Sequence, residues 1–240
     1  MVEKVDILAI GAHPDDVELS CAGTIAKHIK DGKKVAIVDL TEGELGSRGT
    51  VETRCKEASE AAKILGVSHR ENTRLADGFF ESDKASLLKL IAQIRHYQPE
   101  IVLANAPSDR HPDHGRGSSF ISRACFLSGL LKIETTRNGQ TQQHWRPKAV
   151  YFYIQDNYLS PDFVIDVTGF TETKFKAIMA YKTQFYDPNS KEPQTPISGK
   201  DFINYLEARM IQMGRSIKAP YAEGFIVERT PGIHSFFDLQ

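Results

Sequence analysis

The sequence predicts an α/β fold, a Rossmann-like, mostly parallel sheet with helices on both faces. Two observations lead there. Short apolar runs alternate with stretches of helical period along the first half of the chain, the alternation that builds a parallel sheet covered on both sides. Crossovers between parallel strands are right-handed, which leaves only a handful of Rossmann-like topologies.

The elements follow in order. Val5 to Ile10 is a short apolar run closed by Gly11, which reads as a buried strand. Val17, Cys21, Ile25 and Ile29 recur every four residues and predict a helix over Val17 to Lys30, stopped at Asp31-Gly32. Lys34 to Leu40 is a second strand, and Thr41 to Thr50 is a polar, glycine-rich loop. Val51 to Leu65 reads as a helix stopped by Gly66, and Asn72 to Leu75 as a short strand. Lys84 to Tyr97 is an amphipathic helix with Leu87, Leu88, Ile91 and Ile94 on one face. Pro99 ends it, and Ile101 to Ala104 is a further strand. Past Gly139 the pattern loosens. Strands are expected at Ala149 to Ile154 and Phe163 to Val167, helices at Thr171 to Tyr181 and Lys200 to Met213. Tyr186 to Pro196 is a proline-punctuated loop. No repeat, low-complexity tract or linker interrupts the chain, so residues 1–240 read as one domain.

Composition sets the class. With 240 residues, 40% hydrophobic and 25% charged, the chain has an ordinary globular make-up and buries enough surface to fold without disulfides. Its 30 basic and 31 acidic residues give a net charge of -1, without the basic excess of nucleic-acid or membrane-surface binders. No segment reaches the roughly 18 apolar residues of a membrane span, and the run at Val5 is too short for a signal peptide. A cytoplasmic location is expected. Cys21, Cys55 and Cys125 form no C-x-x-C pair and fall on predicted helices, so they read as buried free thiols.

The chemistry sits in two short segments, Ala12-His-Pro-Asp-Asp-Val-Glu18 and Ser108-Asp-Arg-His-Pro-Asp-His114. Each follows a predicted buried strand and precedes a helix. Ligands of open parallel sheets bind beyond the carboxyl ends of the strands, where the strand order reverses. In a Rossmann-like order that point lies between the first and fourth strands, so the two segments should meet. His13, Asp16 and His114 then supply two imidazoles and one carboxylate, a common catalytic zinc set that leaves a position for water or substrate. Zinc lowers the pKa of its water to about 7, and the adjacent Asp15 is free to take that water's proton. His111 would face the same cavity, to stabilise a tetrahedral oxyanion or protonate a leaving amine. Asp113 is the candidate to orient a histidine from behind. A lone His-Pro-Asp is commonplace, and aspartates at helix starts are usually caps. The inference rests on two such clusters in equivalent places. His28, His69, His96 and His144 lack such company and read as solvated or satisfied histidines. Gly11-Ala-His-Pro-Asp lacks the spacing of a dinucleotide loop, and no P-loop is present.

At these residues the chain resembles the PIG-L/LmbE family of metal-dependent N-acetylglucosamine deacetylases. The family's first motif, Ala-His-Pro-Asp-Asp, stands at Ala12 to Asp16, and its second at His111 to His114. The resemblance covers nearly the whole chain. It implies His13, Asp16 and His114 as metal ligands, Asp15 as general base and His111 near the oxyanion. It implies zinc, or ferrous iron in the cell, and a homo-oligomer. Within the family the chain is most similar to the branch that acts on N-acetylglucosaminyl malate in bacillithiol biosynthesis, through Asp109 to His114, Thr41 to Glu44, Arg48 to Thr50 and Tyr221 to Phe225. Leu19-Ser20 departs from the aliphatic-glycine pair expected there. A malate group carries two carboxylates, which arginine binds in a planar fork; Arg54 and Arg110 are the candidates and Arg48 a weaker third. Tyr181, Gln184 and the Tyr221 segment are candidates for the sugar-pocket wall; neither they nor His234 receive a role from sequence. Three alternatives remain at this point: deacetylation of another N-acetylglucosamine conjugate, a non-haem iron oxygenase with the same ligand types, and a metal- or sugar-binding protein without catalysis.

Overall fold

The computed structural model describes residues 2–238. A seven-stranded sheet, in the order β3-β2-β1-β4-β7-β9-β8, forms its centre. The strands are β1 (Ile7–Gly11), β2 (Val35–Thr41), β3 (His69–Leu75), β4 (Ile101–Ala104), β7 (Ala149–Tyr153), β8 (Phe163–Asp166) and β9 (Ala222–Val227); β5 (Thr136–Arg137) and β6 (Gln140–Thr141) pair as a small separate hairpin. The helices are α1 (Asp16–Lys30), α2 (Val51–Leu65), α3 (Lys84–Tyr97), α4 (Pro112–Ser128), α5 (Thr171–Met179) and α6 (Phe202–Gly214). The pairs β1–β2, β2–β3, β1–β4 and β4–β7 are parallel, while β9 runs antiparallel to both β7 and β8. The predicted α/β class therefore holds. No helix among the described residues is long and apolar enough to cross a membrane.

Both faces of the parallel strands are apolar because both are covered. Leu8 and Ile10 of β1, with Ala36 and Val38 of β2, pack against Leu90 and Ile94 of α3 and Phe120 and Ile121 of α4. Ile7, Ala9, Val35 and Ile37 point the other way, onto Val17 and Ile25 of α1, Ala61 of α2, Ile178 of α5 and Leu206 of α6. The period of two along each strand thus divides one apolar run between two cores.

The loose pattern past Gly139 hides a real strand. β9 carries Glu223 and Gly224 in its middle, which break the apolar run. Glu223 is nevertheless buried. Its Oε1 accepts the Gly23 amide at 3.0 Å and the Lys174 ammonium at 2.6 Å, and its Oε2 accepts the Thr24 amide at 2.7 Å. Those amides lie just past a kink in α1, where Cys21 adopts φ -136° and ψ 19°. A carboxylate from β9 and an ammonium from α5 therefore clamp the helix that begins with Asp16. The cysteine expectation needs one correction. Cys21 and Cys125 are buried, but Cys55 is exposed, because it comes one position after the inward-facing Arg54 and so turns to the outer face of α2.

Candidate active site

β1 runs out at Gly11, and the chain turns through Ala12 to Asp15 into α1. The turn closes on itself. Asp16 Oδ2 accepts the His13 amide at 2.9 Å, and the Asp16 amide donates to the His13 carbonyl at 3.3 Å. Asp15 sits at φ 118°, a conformation that costs a non-glycine residue about 1–3 kcal/mol and that surrounding contacts must hold. Arg54, in the first turn of α2, supplies them. Its Nη2 donates to the Pro14 carbonyl and, at 3.0 Å, to Asp15 Oδ2. The positive φ of Gly43, 68°, brings loop backbone against this guanidinium: a Cβ there would lie 3.3 Å from Arg54 Cζ.

β4 lies beside β1, with Ile7 opposite Ile101, so the loop that follows it reaches the same place. Pro112 takes the first position of α4, where a missing N–H leaves no bond unmade. His111 caps the helix, its Nδ1 accepting the Asp113 amide at 3.3 Å, and His114 follows in the first turn.

The two segments meet as predicted. His114 Nε2 is 3.0 Å from Asp16 Oδ1, and His13 Nδ1 is 3.7 Å from Asp16 Oδ2. The far nitrogens of both rings are held by carboxylates: His13 Nε2 by Asp77 Oδ1 at 2.9 Å, and His114 Nδ1 by Asp109 Oδ2 at 2.5 Å. Such partners fix the tautomer and aim the remaining nitrogen, as they do in metal sites. Asp16 is positioned in turn by Asn105 Nδ2 at 2.9 Å and Gln155 Nε2 at 3.1 Å. The His111 ring packs 4.7 Å from His13 and 5.1 Å from His114, centroid to centroid.

The electrostatics favour positive charge here. Burial pulls the His13 pKa down, but Asp113, Asp77 and Asp16 outweigh it and lift it to about 10. Burial likewise opposes, and Asp16 and Asp109 overcome it, raising His114 to about 9. Burial raises Asp15 to about 7 against the pull of Arg54, while Asp16, though buried, is held far below the usual range by His114 and His13. Burial and its two cationic neighbours, His13 and His114, lower His111. A divalent cation answers the demand that these carboxylates otherwise meet with protonated imidazoles. The donors fit one. Two imidazoles and a carboxylate are a zinc or ferrous set, and Asp16 lies 3.7 Å from His13 Nδ1 and 3.0 Å from His114 Nε2; a cluster of three nitrogens within 4.8 Å of one another forms with His111 in place of Asp16. A second group, His13 with Asp77 and Asp113, lies behind the ring and serves to orient it.

One cavity joins these residues. His13, Asp15, Asp16, His111 and His114 line it, with Arg54, Arg110, Gln155 and Gln184. Both proposed carboxylate readers, Arg54 and Arg110, therefore reach it, but each is already paired, Arg110 Nε with Asp156 Oδ2 at 2.5 Å. Arg48 does not reach it. Its guanidinium donates to the carbonyls of Thr183 and Pro193 and ties the Thr41–Thr50 loop to the proline-rich one. Asp113 stands 3.5 Å from His13 Nε2, behind the nearer Asp77. Tyr181 is buried outside the cavity lining with its hydroxyl on Glu18, Tyr221 bonds Glu207, and His234 is exposed. Asp77, Asn105, Asp109, Gln155 and Arg209 received no role from sequence. Three of them had a positional signal, since Asp77, Asn105 and Gln155 lie one or two residues past the carboxyl ends of β3, β4 and β7.

Residues 8–125, which include both His-Pro-Asp segments, match the PIG-L family, described as GlcNAc-PI de-N-acetylase. The chain is 27% identical over 237 residues to the diacetylchitobiose deacetylase of Thermococcus kodakarensis, covering 95% of this chain and 84% of that one. It is 27% identical over 192 residues to the 4-oxalmesaconate hydratase of Pseudomonas putida, covering 74% and 73%. The crystal structure of the conserved protein TT1542 from Thermus thermophilus superposes with a TM-score of 0.86 at 32% identity, over 97% of this chain and 98% of that one. With the matched segments forming one pocket and a relative this similar over its full length, the chain belongs to the PIG-L/LmbE deacetylase family.

Proposed function

We propose that the protein is a metal-dependent hydrolase, acting in the cytoplasm, that removes the acetyl group from an N-acetylglucosamine conjugate, with N-acetylglucosaminyl malate of bacillithiol biosynthesis as the preferred substrate. The observation that carries the reading is the pair of carboxylate-backed histidines. Asp77 and Asp109 hold the far nitrogens of His13 and His114, and the near nitrogens converge on Asp16 while Asp15 stays outside the set.

His13, Asp16 and His114 would hold the metal, zinc or ferrous iron. When bound, the ion supplies a Lewis acid that polarises an acetamide carbonyl and acidifies water. Asp15 takes the proton of the attacking water on its carboxylate; burial raises its pKa against the pull of Arg54, the direction that suits a base. Arg54 keeps that carboxylate turned toward the cavity. His111 packs 4.7 Å from the His13 ring and 5.1 Å from the His114 ring, where a neutral imidazole N–H can hold the oxyanion and a protonated one can give its proton to the departing amine. Of the two arginines proposed to contact substrate carboxylates, Arg54 stays on Asp15 to position the base, and Arg110 reaches a substrate carboxylate only by releasing Asp156. The relative named a diacetylchitobiose deacetylase supports an acetamido sugar as substrate.

The relative named a hydratase favours a second reading, in which the same base adds water across a carbon–carbon double bond. One experiment separates the two. A panel of N-acetylglucosamine conjugates, with zinc or ferrous iron added back, is assayed for acetate and free amine without oxygen. The malate conjugate is expected to react fastest. Equal rates on plain N-acetylglucosamine would remove the narrower substrate, and no acetate from any member would remove the deacetylase.

A further inference from the structure

The cavity holds a buried cation that, among the described residues, no carboxylate neutralises. Arg209 lies on α6, whose buried face is Leu206, Arg209, Met210 and Met213. An arginine therefore occupies a core-facing slot of an amphipathic helix. Only 9% of it is exposed. Its Nη1 has no hydrogen-bond partner, and among the described residues no carboxylate stands within ion-pair distance of its guanidinium. Its recorded company is the Tyr205 ring, 5.4 Å from Cζ to the ring centroid. A buried, unpaired charge is costly, and buried charges are ordinarily paired.

Arg209 lines the same cavity as His13, Asp16 and His114. Two further unpartnered polar atoms, Ser20 Oγ on α1 and Arg54 Nε on α2, belong to residues of that lining. Beside Arg209 the wall is apolar, made by Ile197, Phe202 and Leu206. Arg54 and Arg110 each have a carboxylate already, Asp15 and Asp156. Arg209 is thus the cavity's arginine whose fork is open. A guanidinium in apolar surroundings binds an anionic oxygen pair strongly, through parallel charge-assisted hydrogen bonds.

We propose that Arg209 is the anion receptor of the cavity, and that it selects acetamido-sugar conjugates whose aglycone carries a carboxylate or phosphate. The inference rests on the deacetylase reading. The bound anion completes a charge pair that the protein leaves half made, so selectivity lies in α6 while the acetyl chemistry lies at β1 and β4.

The test uses the full chain with zinc. N-acetylglucosamine glycosides are compared in pairs, each a carboxylate-bearing aglycone with its methyl ester and a phosphate-bearing one with its neutral alcohol. Wild type is expected to favour the charged member by roughly 10- to 100-fold in kcat/KM, mostly through KM. The two pairs show which anion fits better. In Arg209→Met that ratio falls to about one, and Arg209→Lys restores part of it. Arg209→Met also melts no lower than wild type, because it removes an uncompensated buried charge. A retained ratio in Arg209→Met, or a clear fall in its melting temperature, overturns the receptor while leaving the deacetylase intact. If no glycoside is cleaved, the deacetylase reading has failed on its own. Melting with added malonate and with inorganic phosphate then decides for Arg209: stabilisation lost in Arg209→Met supports it, and equal stabilisation of both proteins overturns it.

Discussion

The ends of β1 and β4 and the wall made by α6 and the loop after β7 enclose one cavity, but they are built in opposite ways. At β1 and β4 the histidines and the carboxylate between them are all partnered, several of them locally: His13 bonds Asp16 three residues on, and His114 bonds Asp109 five residues back. The α6 wall has one buried arginine without a partner and reaches the rest of the site only through tertiary contacts. The first region is organised before anything binds, which is what chemistry on a fixed geometry needs. The second leaves charge unmatched, which is what discrimination between ligands needs. Changes in the first should therefore alter turnover or metal content, and changes in the second KM and selectivity.

The largest expected effect tests the first half of that contrast. Asp15→Asn keeps the shape of the turn and an acceptor for Arg54 but cannot take a proton. The expected loss in kcat is about 10²- to 10⁴-fold, with zinc stoichiometry equal to wild type. Turnover near the wild-type rate would remove Asp15 as base. Loss of zinc along with activity would make Asp15 part of the metal set and blur the boundary between holding the ion and using it.

A second prediction concerns the clamp that joins the regions. Glu223→Ala leaves Lys174 buried at 2% exposure with no counter-charge and frees the amides of Gly23 and Thr24 past the α1 kink. Breaking a buried pair this way costs about 3–5 kcal/mol, read from urea unfolding. Because α1 begins with Asp16, zinc affinity should fall with stability. Replacing both partners, as Lys174→Met with Glu223→Gln, should cost less than Glu223→Ala alone. An additive or greater loss in the double variant would mean that the clamp acts through packing rather than charge.

The same contrast explains what could be read from the sequence. His13, Asp16 and His114 were legible because each lies in a motif at a strand end, and the order of the sheet follows from strand-helix alternation. Asp109 stood inside a quoted motif, yet its role was invisible, since only the fold turns it onto His114 Nδ1. Asp77 lies 64 positions from His13, and no local pattern links them. β9 was hidden because Glu223 is polar by composition and buried only through Lys174, 49 positions away. The sequence ranks Arg54 above Arg48, two arginines near one loop, but cannot say what either touches. Contact with Thr183 and Pro193 makes the first a staple, and contact with Asp15 brings the second into the site.

The smallest expected effect grades the support inside the first region. His114 has a single carboxylate at its far nitrogen, Asp109 at 2.5 Å, whereas His13 has Asp77 at 2.9 Å and Asp113 at 3.5 Å. Asparagine keeps an acceptor at either position but loses the charge that raises the basicity of the ligating nitrogen. Changes of this kind usually cost about 10- to 100-fold in metal affinity. Asp109→Asn should fall within that range, measured by zinc competition against a chelator. Asp77→Asn should fall at its lower end, because Asp113 is already within reach of the same ring. The reverse ranking would mean that His13 depends on one carboxylate as much as His114 does. An unchanged zinc affinity in Asp109→Asn would mean that His114 does not present Nε2 to the ion, and the boundary between a self-contained chemical centre and an unmatched wall would have to be redrawn.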